Sequence, residues 1–214
     1  MTLNLETLYT QLREYIEDIR GRLIQSHIDN ELATPDEYNI DVKSFCILCH
    51  SAFEEFIESV CLKVMHASID NYVMHSKISK PMISLMHFKS DHENYLDKGK
   101  EKITITEIET IFDYNRKKLD KIKESFSREI VDNHGISLKY LRKLMMPVSI
   151  DIPQEVKWNS SITKLANERG AYAHKFLESG RVKQSIEPEE AKAIVDDCLE
   201  FCDELKNRAN SLVM

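Results

Sequence analysis

Glycine and proline are scarce in this chain, with five of each in 214 residues. A sheet protein needs turn residues about every eight to twelve positions, so the shortage argues against strands and for long helices. No apolar run approaches the roughly eighteen residues needed to span a bilayer, and no membrane association is expected. The N-terminal stretch MTLNLETLYTQLREYIEDIR is amphipathic and acidic rather than basic then apolar, so no secretory signal is expected. Internal repeats and low-complexity segments are missing. So are HExxH, clustered carboxylates and His-rich runs, and neither a metal nor a cofactor is expected.

The five cysteines, Cys46, Cys49, Cys61, Cys198 and Cys202, are an odd number on the apolar faces of predicted helices. That suits a reducing cytoplasm, where cysteine packs as a small hydrophobe, and a cytoplasmic location is expected. Cys46-Ile47-Leu48-Cys49 matches C-x-x-C. No second pair stands at zinc-ribbon spacing, and Phe45, Ile47 and Leu48 around it point to buried helix.

What is present is charge and helical periodicity. The chain is 42% hydrophobic and 30% charged, with a net charge of −7. That balance excludes a surface that is a polyanion trap all over, but it leaves room for a local basic cleft. Arg116 to Arg128 (RKKLDKIKESFSR) is strongly basic, and Lys139, Arg142 and Lys143 form a second cluster. Each is read as a solvated helix face or a binding surface, the former being the plainer reading.

Leu5, Leu8, Leu12, Ile16, Ile19 and Leu23 predict a first helix over about 3–24. NELATPDEYN reads as a loop, with Pro35 and Asp36 as its turn, and a very long second helix is expected from about Asp41. Pro81 interrupts the pattern, and HFKSDHENYLDKGKEKITI reads as a polar loop. Further helices are expected over about 106–131 and 138–145, the first ended by Gly135. Pro147 and Pro153 then mark an extended link. Another helix should start at the N-cap Asn159 or Ser160 and stop around Gly180. The last begins at Pro188 and carries the stripe Ile194, Cys198, Phe201, Cys202, Leu205 and Ala209. The expectation is one all-α domain over 1–214, a helical bundle with an elaboration at about 76–150 between two helical pairs.

One stretch invites a chemical reading. ANERGAYAHKF, Ala166 to Phe176, sets Arg169 five residues before His174. Arg-x4–6-His is a cheap pattern: nine arginines and eight histidines give on the order of one chance match. Arg22–His27, Arg20–His27 and Arg128–His134 also fit it. Context separates them, because only Arg169 and His174 lie inside a predicted helix between the apolar positions Ile162, Leu165, Phe176 and Leu177. Five residues along a helix are about 140° around and about 7.5 Å along, so arginine's long stem must swing round to reach a shared cleft. Gly170, Ala171 and Ala173 keep the surface low. A mid-helix glycine costs up to about 1 kcal/mol relative to alanine, and close approach of another helix or an RNA backbone is a reason to tolerate it.

ANERGAYAHKF, followed by a loop and a final amphipathic helix, resembles the HEPN domain, whose signature is Arg, four to six residues, then His. The second helix, VKSFCILCHSAFEEFIESVCLKV, is similar to the acidic-spotted second helix of that superfamily. The form RG-x-x-AH resembles the RiboL-PSP branch most. The likeness covers about 41–75 and 155–207. It implies an all-α homodimer and a metal-independent endoribonuclease with Arg169 and His174 as its catalytic pair. It also implies RNA as substrate, and a toxin or anti-phage setting with an antitoxin or defence partner protein. Two departures stand out. Gly170 occupies the place where many members have Asn, Asp or His. Phe176 replaces the tyrosine that some toxin members carry after His-x, so control through that tyrosine does not transfer.

The chemistry agrees with the resemblance. RNA brings its own nucleophile, the 2′-hydroxyl, and a histidine titrating near 6.5 can take or give that proton. A guanidinium can hold two phosphate oxygens and stabilise the charge of the pentacoordinate transition state. In-line cleavage needs an acid and a base on opposite sides, which a two-fold dimer supplies as a second His174.

Supporting residues each carry two readings. Tyr172 either stacks on a base or packs in the core. Lys175 contacts phosphate or is a plain surface lysine. Asn167 and Glu168 orient Arg169 or form an exposed helix face. Glu54 and Glu55 flank the apolar stripe of helix two and reach the cleft, or remain outside it. Trp158, the single tryptophan, is expected to pack at a helix junction. Two other functions compete with the nuclease: a catalytically inactive HEPN-like module that dimerises or binds RNA or nucleotide, and a helical interaction protein whose arginine and histidine only pair with carboxylates.

Overall fold

The computed structural model describes residues 4–30, 32–88, 111–174 and 184–213, with the backbone alone for 111–114, 174 and 213. Among these residues there are eight α-helices and no strand. They are α1 (Leu5–Leu23), a single turn α2 (Gln25–Ile28), α3 (Pro35–His75), α4 (Lys80–His87), α5 (Ile111–Val131), α6 (Leu138–Met145), α7 (Val156–His174) and α8 (Pro188–Val213). A 3₁₀ turn, Met146–Val148, follows α6 directly.

The 41-residue α3 is the spine, on the order of 60 Å long. It starts six residues before the expected Asp41. The local reason is a capping box: the Thr34 backbone N–H and hydroxyl both donate to the Glu37 carboxylate, at 2.6 and 3.0 Å. Pro35 and Asp36, expected as a loop turn, instead fill the first helical positions, where a missing N–H and an acidic side chain cost nothing. The chain leaves α3 through Ser76 in the left-handed conformation. It re-enters a helix where the Ser79 hydroxyl accepts from the Met82 backbone N–H.

α1, α7 and α8 pack around α3, and α4, α5 and α6 lean on its far half. One continuous core runs through all of them, from Leu5 on α1 to Ala209 on α8. Phe45, Phe53, Phe126 and Phe201 are fully buried, each contributing on the order of 2–3 kcal/mol of transfer free energy. All five cysteines are buried and unbridged within this core. Trp158 stands at the α7–α8 junction, donating its indole N–H to Glu200 at 2.9 Å. Among the described residues no helix is long and apolar enough to cross a membrane.

α6 has the bounds expected from its periodicity. α7 begins at Val156, three residues ahead of Asn159. That side chain reaches back instead to the Pro153 carbonyl at 3.0 Å, tying the proline link to the helix. The polar stretch 89–105, the expected start of α5 at 106 and the expected end of α7 near 180 lie outside the described residues.

Candidate functional site

Arg20, Arg22, Arg128 and His27, which formed the competing arginine–histidine spacings, are all held by carboxylates. Arg20 is almost fully buried and pairs with Glu17 on its own helix and Asp196 on α8. Arg22 pairs with Asp18 at 2.9 Å, Arg128 with Glu124, and His27 lies 2.8 Å from Asp41. Their spacing is structural.

Arg169 differs. It is half-buried on α7, and among the described residues no carboxylate lies within ion-pair distance of it. Its charge nevertheless acts on two groups of α3, His50 and Glu54. These belong to a polar ladder, His50, Glu54 and Glu58, spaced four apart and therefore on one side of α3. The turn after α5 closes it. Asn133 donates its amide hydrogens to Glu58 at 2.8 Å and to the Gly135 carbonyl at 3.2 Å, with Glu54 at 3.5 Å. Gly135 has φ 156°, which side-chain-bearing residues rarely adopt, and a Cβ there would stand 3.6 Å from the His50 ring and 3.7 Å from Tyr140.

The ladder is electrostatically tense. His50 is 2% exposed, and burial, helped by the Arg169 charge, lowers its pKa to about 4, so the imidazole is neutral at physiological pH. Its Nδ1 is 3.9 Å from Glu54, too far for a hydrogen bond, and has no partner among the described residues; the same holds for the Asn133 Oδ1. Burial and the neighbouring Glu58 raise Glu54, while Arg169 and His134 pull it back. Burial also raises Glu58 against the Asn133 hydrogen bond. A partly buried guanidinium that acts on a carboxylate of raised proton affinity without pairing with it can take an anionic ligand without first breaking an ion pair.

The other sequence-derived residues divide. His174 closes α7, so its backbone is placed on the same helix as Arg169, and its side chain lies outside the described residues. Lys175 and Phe176 also lie outside them. Tyr172 is partly packed: its hydroxyl donates to Glu168 and accepts the Ile186 N–H at 3.2 Å, and the ring packs against the core. Burial raises its pKa first, the Glu168 bond second. Glu168 is thus engaged with Tyr172 one turn along the helix, on the buried side, not spread on an exposed face. Asn167 is exposed. Glu55 points away, lining a groove between α1 and α3 with Leu8, Tyr15 and Phe56. Its neighbour Glu54 is the acid of helix two that meets Arg169, because one residue turns the helix by about 100°.

At Gly170, where the sequence expects another helix or an RNA backbone to come close, a Cβ would meet nothing within 4 Å among the described residues.

Sequence reasoning missed His50, Glu58, Asn133 and Gly135. The i, i+4, i+8 ladder inside an apolar stripe was the available signal for the first two.

A family model described as RiboL-PSP-HEPN matches residues 10–211. No curated protein and no solved structure matches the chain.

Proposed function

The chain belongs to the RiboL-PSP-HEPN family, and from that premise we propose that it is a metal-independent endoribonuclease using Arg169 and His174 from two copies at one cleft. The observation that carries this reading is Arg169 itself, the partly exposed arginine of the four spacings that is not spent on a carboxylate. Its guanidinium holds two non-bridging oxygens of the scissile phosphate and offsets the charge that builds there. Glu54, with Asn133 and Glu58 behind it, feels the charge of that guanidinium without pairing with it.

One His174 takes the proton of the 2′-hydroxyl as its oxygen attacks phosphorus. The bond from phosphorus to the 5′-oxygen breaks, and the second copy's imidazole protonates that oxygen. The products are a 2′,3′-cyclic phosphate and a 5′-hydroxyl. His50 is a poor candidate for either proton transfer, because it is sealed from solvent and stays neutral well below pH 6. The open flank at Gly170 is where a second copy or the RNA backbone comes close to α7. We extend the reading, by analogy alone, to a toxin or anti-phage setting with a partner protein that restrains the nuclease.

The experiment is cleavage of a single-stranded RNA in EDTA with end-group analysis of the products. His174→Ala and Arg169→Ala are expected to lose about 100-fold or more in rate, with the melting temperature unchanged, and Glu54→Gln to lose about tenfold. An inactive wild-type protein that still binds RNA would favour the module that binds without cutting, a reading to which the missing polar group at Gly170 lends weight.

A further inference from the structure

A second feature lies one helical turn from this site. α4, α5 and α6, together with the 3₁₀ turn, enclose an open groove of about 550 Å³. Its floor is apolar, with Ile83 and Met146 left 52% and 59% exposed beside Pro147. Its rim carries Arg142 and Lys143, and Glu129 stands in the wall. Glu129 precedes Asn133 of the polar ladder by four residues, about 6 Å along a helix, so one residue lining the groove lies about a turn from the ladder. Tyr140 of α6 stands 3.7 Å from where a Cβ on Gly135 would be.

α6 itself, LKYLRKLM, has three cations and no acid, although acidic residues outnumber basic ones 36 to 29 in the whole chain. Lys143 is partly neutralised by Glu129 at 3.1 Å. Lys139 and Arg142 are exposed, and among the described residues neither has a carboxylate within ion-pair distance. Cations beside apolar surface suit a strand of alternating phosphates and unpaired bases.

We infer that α6 and this groove form a track for single-stranded RNA beside the cleavage site, with Lys139 and Arg142 on phosphates and a base seated over Met146 and Ile83. The inference rests on the ribonuclease reading and extends the strand's contacts beyond the cleft. A base lodged there adds sequence-tolerant affinity, and the two cations add a salt-sensitive part.

The test uses full-length His174→Ala protein, which spares the RNA, and a fluorescein-labelled single-stranded oligoribonucleotide followed by anisotropy at several salt concentrations. Lys139→Gln with Arg142→Gln is expected to weaken binding about tenfold at low salt and to flatten the salt dependence by about 0.7 per lost contact. Met146→Ser is expected to weaken binding without changing that slope. The exposed pair Arg13→Gln with Arg22→Gln on α1, an equal change of charge, should leave binding nearly unaltered. If the α6 and α1 pairs weaken binding equally, the track is wrong while the nuclease stands. If the His174→Ala protein binds no RNA at all, both fall together.

Discussion

At the scale of single residues, the site depends on what burial does to ionisable groups. His50 sits between an apolar core and Arg169 and is kept neutral, its pKa lowered from 6.5 to about 4. The stability this contributes is complete above the unfolded value near 6.5. It is lost as pH falls toward the folded value, because the unfolded chain takes the proton first. The difference corresponds to about 3 kcal/mol, reduced in practice because Glu54 and Glu58, raised in the folded state, bind protons more readily there and oppose it. Melting temperatures measured from pH 7 down to pH 4 should therefore fall more steeply for wild type than for His50→Gln. Parallel curves would mean that His50 is not held neutral. Burial of this kind also separates the arginines. Arg20 is spent on structure by Asp196, and Arg169 is held ready by its lack of such a partner.

At the scale of elements, most helices were legible because their apolar residues recur every three to four positions. α6 was read to the residue, and α8 was read from Pro188 onward. The start of α3 was misjudged because Pro35 and Asp36 make equally good turn and helix-start residues. Only the Glu37 carboxylate, three residues past Thr34, distinguishes the two. Arg169 and His174 are singled out by pattern and Glu54 only beside Glu55, whereas Asn133 and Gly135 lie in a non-helical link whose path depends on what it packs against. Gly170 is expected to let another helix or an RNA backbone come close, and among the described residues nothing lies within 4 Å of where its Cβ would stand. Gly170→Ala should then stabilise the isolated fold by up to about 1 kcal/mol through helix propensity alone. The same variant should cut RNA more slowly, since a methyl group would intrude where a second copy or the phosphate backbone must sit. Unchanged cleavage would show that this flank faces only water.

At the scale of the whole molecule, one core joins the helices around α3 and leaves a polar seam where α7 crosses that spine beside the turn after α5. In the proposed nuclease, Arg169 sits at this seam and each chain carries one His174. An acid and a base on opposite sides of a phosphorus atom would then come from two chains. Mixing wild-type and His174→Ala proteins in equal amounts, after full exchange of subunits, measures this directly. If each cleft needs both imidazoles, only dimers of two wild-type chains cut, and activity drops to about a quarter of that of the undiluted wild type. Activity near one half would mean that each chain cleaves RNA alone, contradicting the shared cleft.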